Sequence, residues 1–466
     1  MSDFEGRREL YSFQSFNALS YWIILGSPIV LLTLWLGGDS RAVGVVSSIM
    51  PFLTILQIPS TRYIVRLGYR RAMLTGWTSR TMIILGLVFL PFLKGIWSPE
   101  RLMLVLVFFI FSWSFLRGMA NASWLPWLKE LIPSGQRGRY FAWENIFIQV
   151  MSLIILFLSG LILGNKPTAF RFSIIYFISF ASGMVSLLFL GRIPSVEISG
   201  CDESRTSIFT SLKNAVRDIP YRRFLLFIFI FTLSNAGFDS FTVLFLKRET
   251  ALADRMILWL GAASSASMIG SLVFAGGLID RWGSRPIMKI CLIQTIVYLT
   301  VWVLLSERAL NPVILLMVFL FIFYGMVKAT IWIATWRLTF ISVPHTNSLM
   351  ALAIFNTGMG ILGGISPLVW GYLLNKIPHG WLSPFGYYFL SLMLLTLAAF
   401  MALSRVREAK AEQTRDVAIA LLTLPVRSIV QLIGFFPRGR RFTQDYGIQD
   451  EPPEPEADTR AQKRAE

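Results

Sequence analysis

Gly276-Gly277-Leu278-Ile279-Asp280-Arg281-Trp282-Gly283-Ser284-Arg285 lies between two long apolar runs, and its reading decides the fold. A weaker copy, Thr61-Arg62-Tyr63-Ile64-Val65-Arg66-Leu67-Gly68-Tyr69-Arg70, occupies a similar place nearer the N-terminus. Arg66, Gly68 and Arg70 keep the spacing of Arg281, Gly283 and Arg285, and Arg281 follows Arg66 by 215 residues. Val65 stands where the second copy has Asp280. A basic turn repeated between apolar runs points to a chain of two similar halves, the arrangement of many transporters.

With 466 residues, 55% of them hydrophobic and 15% charged, and a mean hydropathy of +0.62, the chain has more apolar surface than a soluble core can hide. Its apolar stretches of about 20 residues each suit a hydrocarbon layer roughly 30 Å thick. Only helices or closed barrels satisfy the backbone there, and runs without period-2 alternation exclude the barrel. The fold class expected is an all-α polytopic membrane protein with twelve transmembrane helices as two six-helix repeats. The spans fall near 16–37, 42–60, 72–93, 102–127, 142–163 and 170–190, then 224–246, 256–278, 286–306, 312–341, 350–374 and 384–404. Residues 1–191 form the first bundle, 192–223 a central loop, 224–404 the second bundle and 405–466 a tail.

The net charge of +17 would suggest nucleic acid in a soluble protein, but Lys and Arg gather in alternate loops. The positive-inside rule then places both termini and the groups Arg62–Arg71, Lys129–Arg139, Arg192–Arg223, Arg281–Lys289 and Arg405–Arg415 in the cytoplasm of a cell whose inner (plasma) membrane the chain crosses. Lys247, Arg248 and Arg255 are exceptions on the opposite side. Cys201 and Cys291 lie on different kinds of segment, which argues against a disulfide. The polar N-terminus lacks a small-residue cleavage site, so the first span is expected to remain in the protein. In the tail, residues 416–436 read as an amphipathic helix on the cytoplasmic interface, with Arg438, Arg440 and Arg441 toward anionic headgroups and a disordered end beyond.

A second repeat supports the halves independently. Arg117 precedes Pro133, and Lys328 precedes Pro344, by the same 16 residues; at this offset of 211, Asn145 falls on Asn356.

The chain resembles the major facilitator superfamily over roughly residues 10–405. The resemblance is carried by Gly276, Asp280, Arg281, Gly283 and Arg285, by the partial copy at Arg66, Gly68 and Arg70, by the six-loop-six layout, and by Pro133, Arg137, Gly138 and Arg139. It implies a secondary transporter alternating between inward-open and outward-open states. It also implies that Asp280 faces the start of the fifth span, near Gly138 to Ala142, and holds the cytoplasmic side shut. A carboxylate beside orphan N–H groups gains hydrogen bonds and the helix dipole; the alternative is pairing with Arg281 or Arg285 in a solvated turn. Val65 in the first copy makes such a gate uneven.

Ionisable groups within spans cost on the order of 2.5–3.5 kcal/mol on insertion scales and normally face a cavity or a partner. Arg117 and Lys328 hold equivalent places in spans 4 and 10, Arg80 lies in span 3, Glu144 near the start of span 5 and Asp239 in the outer part of span 7. Two equivalent cations would favour an anionic substrate group. Alternatively they pair with acids, such as Arg117 with Glu144, and only fix packing. Asn235 and Asp239, four residues apart, share a helix face, and a desolvated Asp239 or Glu144 suits a proton carrier. Asp239 answering Lys247 or Arg248 is the structural alternative. Asn145 and Asn356 are further cavity candidates. Gly358, Gly360, Gly363, Gly364, Pro367 and Gly371 predict close packing or a bend in span 11. Trp124 and Trp127 read as packing or interface aromatics.

The functional expectation is a proton-coupled transporter that exports or imports a small anionic or amphiphilic solute across the bilayer; the sequence leaves the oligomeric state open, with a monomer favoured. The other class is a non-transporting sensor or lipid-flipping protein. No Walker-type loop is present, which disfavours ATP use. No catalytic, cofactor or metal site is expected, since His345 and His379 lie in loops on opposite sides.

Overall fold

The computed structural model describes residues 6–133, 136–196, 217–343, 348–378, 380–406, 408 and 414. The tail helix of 416–436 and most of the central loop lie outside them, as does His345.

Among the described residues, twelve successive helical spans account for the bundle. They run over Arg7–Trp35, Ser40–Leu67, Tyr69–Leu93, Pro99–Leu131, Arg137–Leu163, Ala169–Leu190, Ile219–Arg248, Asp254–Trp282, Ser284–Ser306, Ile314–Ser342, Ser348–Leu373 and Pro384–Ser404. Ten of the helical segments are long and apolar enough to cross a membrane, and Ser40–Leu56 is a shorter apolar one. Several helices extend beyond the stretch a bilayer needs, since polar residues that disfavour the hydrocarbon still permit a helix outside it.

Sequence sets where spans start and break. Asp39, Ser98, Thr168, Asp218 and Ser383 each accept a hydrogen bond from an N–H in the first turn of the following helix. Span 1 is interrupted at Gly26, between Arg7–Leu25 and Ser27–Trp35. Span 7 is interrupted at Ala236–Gly237, where Gly237 takes a φ of 82°. Gly26 and Gly237 are 211 residues apart, so the halves share their break as well as their cations. Span 2 carries Pro51 near the end of its first α-helix, Ser40–Leu53, and a 3-10 turn over Thr54–Leu56 joins that helix to a second one, Gln57–Leu67.

The repeated basic turn has the same architecture in both halves. Gly68 and Gly283 adopt φ values of 82° and 91°, which side-chain-bearing residues rarely reach, and each separates two helices. Two residues on, Arg70 donates to the Gly191 carbonyl at the end of span 6, and Arg285 donates to the Ser404 carbonyl at the end of span 12, at 2.7 Å. A cation thus meets the carbonyl end of the last helix in its own half. In the second half, Glu408 also accepts from the Ser284 and Arg285 N–H groups at 3.0 and 2.8 Å.

The halves meet along two seams, span 2 against span 11 and span 5 against span 8. Glycines permit the approach. A Cβ on Gly44 would lie 2.5 Å from the Pro367 carbonyl oxygen, and one on Gly371 would lie 2.8 Å from that of Ser40. Gly360 sits against Thr54 and Gly364 against Phe52. The small residues of span 11 therefore serve close packing.

Candidate substrate and coupling site

Hydrogen bonds across the seams concentrate at the end of the bundle opposite the basic turns. There the Ser40 hydroxyl donates to the Gly371 carbonyl at 3.0 Å, and Asn375 bonds both Ser40 and Asp39. Ser47 donates to Ser240 at 2.8 Å, and Ser152 and Ser265 lie 3.1 Å apart farther along. At the basic-turn end, Cβ atoms on Gly270, Gly276 and Gly277 would meet nothing within 4 Å, and Arg66, Arg281 and Asp280 are exposed. The bundle is closed at one end and open at the other.

Asp280 receives a hydrogen bond from Arg337 of span 10 at 2.8 Å and is 79% exposed. Its carboxylate is paired within its own half, rather than with Arg281 or Arg285. The side chains of Arg137 and Arg139 lie outside the described residues, as does that surface of Gly138.

Two charged clusters occupy the interior. In the first half, Arg80 is buried beneath Trp77, its guanidinium carbon 4.1 Å from that ring and 5.1 Å from Trp113. Arg117 is half-buried and lies 5.8 Å from the same Trp113 ring. Neither arginine has an ion-pair partner among the described residues, and Nε and Nη1 of Arg80 have no protein hydrogen-bond partner. Arg80 instead donates to Asn17 Oδ1; Asn17 donates to Gln14 at 3.2 Å; Gln14 donates to Glu144. Tyr140 also reaches Glu144, at 3.5 Å, and Trp77 reaches Asn17 at 3.2 Å. Two buried amides, oriented alike, thus join a cation on span 3 to a carboxylate on span 5, and such aligned dipoles polarise one another. The Arg117–Glu144 pair considered from sequence is not formed.

In the second half, Lys328 meets Asp239 at 2.6 Å and lies 5.1 Å from the Tyr324 ring. Trp113 precedes Arg117, and Tyr324 precedes Lys328, by four residues, so an aromatic supports each equivalent cation. Their compensation differs: position 28, the equivalent of Asp239, is Pro28. Lys247 pairs with Asp254, so Asp239 does not answer it. Lys328, Asp239 and Tyr324 line a cavity of about 90 Å³ between the halves, together with Trp22, Gln149 and Ser240.

The asparagines part company. Asn145 donates to the Phe141 carbonyl of its own helix at 2.9 Å. Asn235 donates to the Phe231 carbonyl and to Ser234. The break at Ala236–Gly237 separates Asn235 from Asp239, so the single face inferred from their spacing does not exist; the left-handed glycine ends the first helix. Asn356 is exposed on span 11. Gln14, Asn17, Trp77, Trp113 and Tyr324 were not among the residues singled out from sequence. Their signals were the i, i+3 spacing of Gln14 and Asn17, and the offset of 211 applied one turn before each cation.

The Major Facilitator Superfamily model matches residues 224–439. The inward open structure of the xylose transporter XylE from E. coli is similar at a TM-score of 0.65 and 15% identity, covering 88% of this chain and 98% of that one. The second half of the chain matches the superfamily's sequence model, and the chain as a whole has the superfamily's fold. The nucleoside transporter NupG superposes at a TM-score of 0.59 with 16% identity, over 86% of this chain and 99% of that one. A bacterial homologue of the iron transporter ferroportin, in an inward-facing state, gives 0.61 and 14%, over 86% and 98%. No curated protein sequence matches. At these identities the structural likeness shows the fold; the site is read from the chain's own residues.

Proposed function

We propose that the protein is a secondary transporter that carries a small anionic solute by alternating access and draws on protons. The unequal compensation of two equivalent cations carries the reading: Asp239 neutralises Lys328, while Arg117 has no acid partner among the described residues and shares Trp113 with the buried Arg80. Cation–π contacts are each worth about 2 kcal/mol when desolvated. The effective penalty for burying one ion is several kcal/mol, so two neighbouring guanidiniums leave the first half attractive to an anion.

Glu144 is the proton site in this reading. Its carboxylate is the remote counter-charge of Arg80 through Gln14 and Asn17. A proton on Glu144 removes that counter-charge and leaves Arg80 and Arg117 to attract the solute more strongly, which links proton and anion binding with positive sign. With the basic turns in the cytoplasm by the positive-inside rule, the open end is cytoplasmic and the conformation inward-facing. Asp280 then acts as a latch when the bundle closes there, exchanging Arg337 for the start of span 5.

The test is thermal-shift binding of anionic, sugar and cationic amphiphile sets, followed by flux of any hit in vesicles under an imposed pH gradient. Anions should rank first, and Arg117→Gln should abolish the shift while the protein stays folded. Sugars or cations ranking first, or an undiminished anion shift in Arg117→Gln, would refute the anion site. Flux indifferent to the gradient would refute proton coupling.

A further inference from the structure

The seam between spans 5 and 8 has an outer face that the transport cycle above does not use. Ser152 and Ser265 close the seam from within. Outside them runs an apolar groove of about 410 Å³. Leu153, Phe157 and Leu158 form one wall from the first half; Trp259, Ala263 and Ala266 form the other wall and floor from the second. Gly160 lets the walls close, since a Cβ there would lie 2.7 Å from the Trp259 ring, and Phe157 stacks on Trp259 at 5.6 Å. Three alanines in the lining, Ala262 among them, keep a channel open where neighbouring surfaces carry bulky side chains.

One turn beyond Trp259, toward the closed end, lies Arg255. Its guanidinium carbon is 4.7 Å from the Trp259 ring. The adjacent Asp254 is occupied by Lys247, Arg255 has no ion pair among the described residues, and its buried Nε has no hydrogen-bond partner. From Arg255 to Ala266 the helix rises about 16 Å at 1.5 Å per residue, a length that suits an acyl chain hanging from an interfacial head group. Arg255 is also one of the basic residues that depart from the positive-inside pattern, so a local role would account for it.

We propose that this groove is a phospholipid site, with the lipid phosphate on Arg255 and one acyl chain lying against Ala263 and Ala266. A guanidinium fork favours phosphate, and the apolar lining favours the chain. Because the walls belong to different halves, the site exists only while this end is closed. A bound phospholipid therefore favours that state by its differential affinity.

The experiment replaces Leu158 with p-benzoylphenylalanine in the full chain, in nanodiscs carrying equal traces of phosphatidylglycerol and of diacylglycerol with the same chains. Leu188, 65% exposed on span 6, serves as the reference position. The ratio of phospholipid to diacylglycerol crosslinked at position 158 should exceed that at position 188 at least threefold, and Arg255→Gln should bring it down to the reference. Equal ratios at the two positions, or no response to Arg255→Gln, would overturn the site and assign the groove to bulk lipid. The readout involves no transported solute, so its failure leaves the anion reading intact, and the reverse holds.

Discussion

Placing a side chain at Gly44 should drive the bundle out of the observed conformation. A Cβ there lies 2.5 Å from the Pro367 carbonyl oxygen and 2.9 Å from the Gly371 Cα, both backbone atoms of the facing span. No rotamer change relieves such contacts. Recovering an ordinary separation of 3.4 Å requires spans 2 and 11 to part by roughly 0.9 Å, and loses the packing around it. Overpacking costs about 1–3 kcal/mol, which corresponds to a shift of roughly 5- to 150-fold between two states. The strain lies between halves, so each half should still fold, and the equilibrium should move toward opening at this end. Spin labels at positions 41 and 376 report the closed end, and labels at 66 and 281 the open end; all four residues are exposed. In Gly44→Leu the first distance should lengthen and the second shorten, with Gly44→Ala showing a smaller effect. Unchanged distributions in a folded, monodisperse Gly44→Leu protein would refute the assignment of this glycine seam as the closing surface.

Asp280→Asn should shift cysteine accessibility toward the conformation open at the basic turns, while changing stability by less than about 1 kcal/mol because its pair with Arg337 is solvated; unchanged accessibility would count against the latch. Glu144→Gln should uncouple flux from an imposed pH gradient yet leave anion exchange measurable, and gradient-driven flux at the normal rate would remove Glu144 from coupling. Lys328→Gln should weaken anion binding about fivefold or less, since the pair it breaks is partly exposed. A loss as large as that of Arg117→Gln would restore the two cations to equal roles.

Hydropathy and the repeated turn made the twelve spans legible, with span 12 expected and found at 384–404. The offset of 211 was legible too, but its content was not. Arg117 and Lys328 look equivalent in sequence, whereas Lys328 takes its counter-charge from Asp239 on another span and Arg117 has none among the described residues. Gln14 and Asn17 straddle the start expected for the first span at residue 16, and nothing in a linear pattern shows that Arg80 and Glu144 lie at either end of them. Spacing placed Asn235 and Asp239 on one face by assuming an unbroken helix; Gly237, free to take a positive φ, supplied the break. Side-chain partners fixed by tertiary packing are what periodicity cannot carry.

The duplication preserved backbone devices and let charge diverge. Gly68 and Gly283 turn alike, Arg70 and Arg285 cap alike, and Gly26 and Gly237 interrupt spans 1 and 7 at the equivalent position, Gly26 in an extended and Gly237 in a left-handed conformation. Against that background, Pro28 opposite Asp239 is a difference of charge within one scaffold. Pro28 lies in the first turn of Ser27–Trp35, where proline suits a helix start and a carboxylate is also favoured by the dipole. Pro28→Asp should therefore fold and give Arg117 the counter-ion that Asp239 gives Lys328. An internal carboxylate would then compete with the solute, so anion binding should weaken by at least tenfold, while Pro28→Ala, without the charge, should bind nearly as the parent. Equal anion binding in Pro28→Asp and Pro28→Ala would show that the uncompensated charge of Arg117 does not hold the solute, and the proposed asymmetry of the two halves would lose its functional meaning.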